Sequence, residues 1–288
     1  MSTDTAPFGT RLQAAMAQHG PLCAGIDPHP GLVESWGLTY DPAGVGRFAM
    51  TCVEAFGGTV AAVKPQSAFF EVFGAKGVAL LERVLTDLRD AGTLTVLDVK
   101  RGDIGTTVDA YGEAFLGKDA PAAADAITLS PYLGYGSLRP AIDLAHATGR
   151  GVFVPALTSN PEGARVQHAR LADGRSVAGA IADEAAEDNA EARGRGELGS
   201  IGLVVGATVG SAVRDLGVDL PGMAGPVLAP GPGAQGATAD DVRSVFAGAL
   251  PRVLASSSRD VLRAGPDVAA LRDRARAVAT QVAAITAS

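Results

Sequence analysis

Short β-branched runs alternate along the whole chain with alanine- and leucine-rich stretches of helical period. The apolar runs predict strands at Leu22–Asp27, Thr59–Lys64, Leu94–Lys100, Ala126–Ser130, Gly151–Leu157, Ile201–Ala207, Pro226–Ala229 and Arg252–Ala255. The intervening periodicity predicts helices, among them Ala75–Ala91, Leu138–Thr148, Val177–Arg193 and Ala239–Ala249, with a last helix at Asp267–Thr286. Eight strand-then-helix units in 288 residues predict an α/β fold, a (β/α)8 TIM barrel built as a single domain over residues 1–288 with an extra C-terminal helix. A doubly wound open sheet gives the same alternation. The unbroken count of eight, with a polar or glycine-rich loop after nearly every strand, favours the barrel.

Composition narrows the class. Hydrophobic residues make up 47% and charged residues 19%, enough apolar material for a core, which excludes intrinsic disorder. A net charge of -7 argues against a nucleic-acid partner, so an anionic ligand needs a local cluster of cations. The two cysteines, Cys23 and Cys52, form no CxxC pair, which argues against a disulfide scaffold or zinc knuckle. The first twenty residues lack a basic stretch followed by an apolar core, and the apolar run 201–213 is too short to span a bilayer. The chain is expected to be soluble and cytoplasmic, with no membrane partner.

The densest polar signal is Asp98-Val99-Lys100-Arg101-Gly102-Asp103 at the end of the third strand. Alternation puts Asp98 and Lys100 on one face, and if that face is the barrel interior a carboxylate and an ammonium meet near its mouth. Burying such a pair costs several kcal/mol per ion before compensation. A solvated strand end is the bland reading, and the apolar Thr95-Val96-Leu97 run weakens it. Lysine occurs only at 64, 76, 100 and 118, and two of these close strands. Asp27, before Pro28, adds a carboxylate to the same rim, although an Asx turn explains it equally well. The loops Pro28–Asp41 and Ser159–Arg175 exceed what a βα connection needs and would lie at the same face.

After the seventh strand, Pro230-Gly231-Pro232-Gly233-Ala234-Gln235-Gly236 contains GxGxxG, but Ser256-Ser257-Ser258-Arg259 stands where a dinucleotide site needs an acid. The seventh and eighth loops of a barrel commonly hold a phosphate, which Arg259 would clamp, so a phosphate site outranks a dinucleotide site. His19, His29, His146 and His168 lack metal-site spacing and no GxSxG elbow occurs, so neither a metal nor a cofactor is expected.

These residues together resemble the orotidine 5'-phosphate decarboxylase family. The set is Asp98-x-Lys100-x-x-Asp103 with Lys64, Asp27, Pro230–Gly236 and Arg259. Lys64-Pro65-Gln66, Thr158-Ser159-Asn160-Pro161 and Ser256-Ser257-Ser258-Arg259 make it similar to the longer bacterial subgroup. The resemblance spans the chain and implies cofactor-free conversion of orotidine 5'-phosphate (OMP) to UMP by a homodimer whose sites lie at the subunit interface. It implies that Lys100 protonates C6 of the base beside Asp98, that Lys64 holds the charge network and contacts the ribose, and that Asp27 binds a ribose hydroxyl. Asp103 and Thr107 would enter from the other subunit. Ser159 would bind the pyrimidine, Gly233 would belong to the phosphate loop, and Gln235, Ser258 and Arg259 would hold base-side and phosphate groups. Related barrel enzymes such as ketogulonate phosphate decarboxylase and hexulose phosphate synthase share the Asp-x-Lys-x-x-Asp pattern but hold Mg2+ partly through a glutamate, where this chain has Lys64. A Schiff-base aldolase and a non-catalytic phosphate-binding barrel are the remaining alternatives.

Overall fold

A computed structural model describes residues 6–231 and 237–287. All eight strands are parallel and close in sequence order: β1 (Leu22–Ile26), β2 (Ala62–Pro65), β3 (Leu94–Arg101), β4 (Ala126–Leu129), β5 (Gly151–Leu157), β6 (Ile201–Val205), β7 (Val227–Pro230) and β8 (Val253–Ser257), with β8 returning to pair with β1. This is the (β/α)8 barrel. The expected strands are all present, with ends shifted by at most a few residues.

Alternation along the strands divides the apolar residues into two cores. Cys23, Ala62, Val96, Ala126, Phe153, Val204, Leu228 and Leu254 form one cluster with Phe8 and Leu12 of the N-terminal helix Phe8–His19. Phe8 meets Phe153 edge-on, ring centroids 6.0 Å apart. The helix stands outside the strand–helix alternation and plugs the end of the barrel where the strands begin. Gly151 makes room for it, since a β-carbon there would lie 2.3 Å from the Phe8 ring. The second core fills the layer between strands and outer helices.

The C-terminal helix, Val268–Thr286, packs on β1 and on helix Pro42–Phe56, joining the outer ring as it closes. The predicted helix Val177–Arg193 is interrupted: Val177–Asp188 ends at Asn189 and a short turn Ala190–Gly194 follows. The buried Asn189 amide donates to the carbonyls of Ile201 (2.7 Å) and Met223 (3.0 Å), and its Oδ1 accepts from Ile201 N–H (3.1 Å). One side chain thereby anchors the start of β6, and the helix breaks to place it. The long loops carry short helices, Pro30–Ser35 in the first and Pro161–Gly163 and Ala164–Gln167 in the second. No described helix is long and apolar enough to cross a membrane.

Candidate active site

The charged residues at the strand ends converge at the mouth of the barrel. Lys64 Nζ lies 3.0 Å from Asp98 Oδ2 and 3.9 Å from Asp27 Oδ1, and Lys100 Nζ lies 2.5 Å from Asp98 Oδ1. The order is Asp27, Lys64, Asp98, Lys100, with charges alternating from the rim of β1 to the end of β3. Burial pulls the Lys64 ammonium down, but the Asp27 and Asp98 carboxylates overcome it and hold its pKa above the ordinary lysine value. Burial likewise pushes Asp98 up, while Lys64 and Lys100 bring it down to about 2. Lys64 and Asp98 are therefore both ionised at neutral pH.

Simple alternation does not run undisturbed through β3. The ladder to β4 shifts register between Leu97 and Arg101, and Lys100 adopts a left-handed backbone with φ 44°. For a residue with a side chain this costs on the order of 1 kcal/mol. Thr128 of β4 holds it there: its Oγ1 accepts from Lys100 N–H (2.9 Å) and donates to Asp98 Oδ1 (2.9 Å). The bulge tips Lys100 outward. Its side chain is 51% exposed, against 8% for Asp98 and 9% for Lys64. The inner pair is buried, and the outer ammonium stays open at the mouth.

Gln66 completes the cluster by accepting from Lys64 Nζ at 3.1 Å. Neither Thr128 nor Gln66 was expected as a site residue. Gln66 belongs to the Lys64-Pro65-Gln66 run, whereas a threonine in Ala126-Ile127-Thr128-Leu129 reads only as a strand former.

At the β8 end, Ser256 and Ser257 are buried and Arg259 opens a short helix, Arg259–Leu262, with its side chain exposed. Ser258 approaches β1 so closely that a β-carbon on Gly25 would lie 2.7 Å from its own. Ser258 Oγ and Asp27 Oδ1 are buried without a hydrogen-bond partner among the described residues. Buried oxygens left open at a barrel mouth suit a polar ligand. Ser159 is exposed at the end of β5, beside a loop fixed by Gln167, which accepts from Thr158 N–H (2.9 Å) and donates to Thr158 Oγ1 (2.7 Å). Gly233 and Gln235 lie outside the described residues.

Asp103 and Thr107 do not join the cluster within one chain. Asp103 accepts from Ile104 N–H at 2.8 Å, and Thr107 is exposed on the first turn of helix Gly105–Leu116. Beside them Ile104, Tyr132 and Leu133 are 62%, 77% and 53% exposed. The two segments are neighbours, since Ser130 N–H donates to the Arg101 carbonyl at 2.7 Å.

A parallel barrel with an alternating ion cluster at the carboxyl ends of its strands, and open polar groups after the last one, defines a barrel enzyme acting on a small polar substrate. The model of the orotidine 5'-phosphate decarboxylase / HUMPS family matches residues 20–273, and the chain belongs to that family. It is 58% identical over 282 residues to an orotidine 5'-phosphate decarboxylase of Salinispora tropica, covering 98% of this chain and 99% of that protein. It is 56% identical over 284 residues to the Streptomyces coelicolor enzyme of the same name, covering 98% and 99%. A crystal structure from Streptomyces avermitilis, described as a candidate orotidine 5'-phosphate decarboxylase, superposes with TM-score 0.93 at 54% identity, over 99% of this chain and 97% of that one.

Proposed function

We propose that this chain converts orotidine 5'-phosphate to UMP and CO2 as a metal-free decarboxylase, with residues 1–288 acting as one unit. The observation that carries the reading is the alternating row Asp27, Lys64, Asp98, Lys100. In this reaction the bond from C6 to the carboxylate breaks and CO2 departs. The electron pair stays on C6 in the plane of the ring, where the π system cannot delocalise it. A fixed cation beside C6 stabilises that charge as it forms. The Lys100 ammonium supplies it, transfers a proton to C6, and is reprotonated from water.

The locked inner pair serves this step. Asp98 stays ionised beside the leaving carboxylate and fixes Lys100, while Lys64 neutralises Asp98 from the far side and reaches toward the ribose. Asp27 Oδ1 is open to a ribose hydroxyl, and Ser258 and Arg259 would take the phosphate together with Gly233 and Gln235. Ser159 would receive the pyrimidine. Phosphate binding, remote from C6, supplies energy for ordering the loops around the base. Lys64 places an ammonium where a divalent cation would need a carboxylate, which favours the decarboxylase over the Mg2+-dependent alternatives.

Asp103 and Thr107 then complete the site of a second subunit. The exposed Ile104, Tyr132 and Leu133 beside them form an apolar face suited to a homodimer interface. The free buried thiols Cys23 and Cys52 fit a reducing compartment, and we place the enzyme in the cytoplasm. Loss of substrate absorbance on adding OMP to the purified protein tests the reading. The expected result is rapid conversion to UMP, unchanged by EDTA. Well-folded protein that leaves OMP intact, or needs a metal to act, would overturn it.

A further inference from the structure

The end of the barrel opposite the ion cluster carries a second charged feature. A cavity of about 660 Å³ opens there, lined by Arg11, Arg89, Lys118, Asp125, His146 and Arg150 among small residues. Asp125 and Arg150 immediately precede β4 and β5, so the cavity lies where strands begin and takes no part in the proposed chemistry.

Four cations here face one carboxylate, in a chain whose net charge is -7. That carboxylate is already engaged. Asp125 Oδ1 pairs with Arg11 at 2.5 Å, and Oδ2 accepts from Thr95 N–H (2.9 Å) and Thr95 Oγ1 (3.1 Å). Arg89, Lys118 and Arg150 have no carboxylate within ion-pair distance among the described residues. Backbone carbonyls fix the guanidinium groups in place: Arg11 donates to Gly149 (2.9 Å), Arg89 to Ala123 (3.4 Å), and Arg150 to Ala124. Clamping loop carbonyls requires donors but no surplus of charge. Burial depresses the Arg150 pKa; Asp125 works against this, and repulsion from Arg89 and Arg11 adds to it. A dense anion relieves that repulsion. The neighbouring acids Asp90 and Asp119 do not line the cavity.

We propose that this basal cavity binds a compact polyanion of two or three linked phosphate groups, held by Arg89, Lys118 and Arg150. Each guanidinium keeps N–H donors beyond those spent on carbonyls, and a fork of such donors matches phosphate oxygens. His146, exposed at the end of helix Arg139–Thr148, adds a further donor on the cavity wall.

The test is calorimetric titration of the intact protein with inorganic tripolyphosphate, with excess UMP present to fill the opposite mouth. Binding of one equivalent per chain, weakening steeply with added salt, is expected. The double variant Arg89→Gln, Lys118→Gln changes two exposed side chains far from the ion cluster. It should bind at least tenfold more weakly while circular dichroism and OMP turnover stay at wild-type levels. UTP as a second probe separates the sources: tighter binding than tripolyphosphate assigns the cavity to a nucleotide, and equal binding to free oligophosphate. No binding to wild-type protein, or unchanged affinity in the double variant, would overturn the proposal.

Discussion

At the scale of single residues, the proposed site depends on a strained lysine held in place by Thr128 and Asp98. Lys100 sits at φ 44° because Thr128 receives its N–H and Asp98 its ammonium. Thr128→Val keeps the shape but leaves that N–H without its acceptor and removes one of the three donors to Asp98. Such losses cost about 1–3 kcal/mol each, so kcat should fall about ten- to hundredfold with KM little changed. Steady-state kinetics reads the split, and a change in KM alone would count against this positioning role. The principal carboxylates and lysines were legible because strand-end charges next to apolar runs stand out. Thr128 was not, since its role comes from the register slip between β3 and β4, which no spacing encodes.

At the scale of elements, the alternation of apolar runs and helical periods was enough to predict every strand. Boundaries moved where tertiary contacts overrode pattern. β2 begins at Ala62 instead of Thr59, because Thr59 turns its hydroxyl back to the carbonyls of Ala55 and Phe56 (3.0 and 2.9 Å). The break at Asn189 is the clearest case, since Ala185-Ala186-Glu187-Asp188-Asn189-Ala190 continues a helical pattern without interruption. Only its three bonds to Ile201 and Met223 explain why the helix stops. Asn189→Ala strands those buried backbone groups and should destabilise the protein by about 2–4 kcal/mol. Thermal unfolding should show a drop on the order of 5–10 °C. Because Asn189 lies at the far end of the barrel, kcat at 25 °C should stay at the wild-type value.

At the scale of the whole molecule, the proposed site draws on residues that one chain does not bring together. Asp27, Lys64, Asp98 and Lys100 gather at the mouth, while Asp103 belongs to the same motif yet pairs with none of them and accepts instead from the N–H of exposed Ile104. A motif shows that such residues act together but not which copy of the chain supplies them. The Asp98→Ala and Asp103→Ala variants, each expected to be inactive alone, offer the test of a site shared across the proposed homodimer. After subunit exchange the hybrid dimer regains one intact site, so a randomised mixture should recover about a quarter of wild-type activity. Demonstrated exchange without recovery would place both carboxylates in one chain's site.

The central claim is that the Lys100 ammonium both stabilises and protonates the carbanion at C6. It is tested most directly by kcat/KM for OMP in the Lys100→Ala variant, measured with EDTA beside wild-type protein. A loss of at least ~10³-fold is expected, with the thermal unfolding midpoint close to wild type because the lysine is half exposed. Retention of appreciable decarboxylase activity by the folded variant would contradict it.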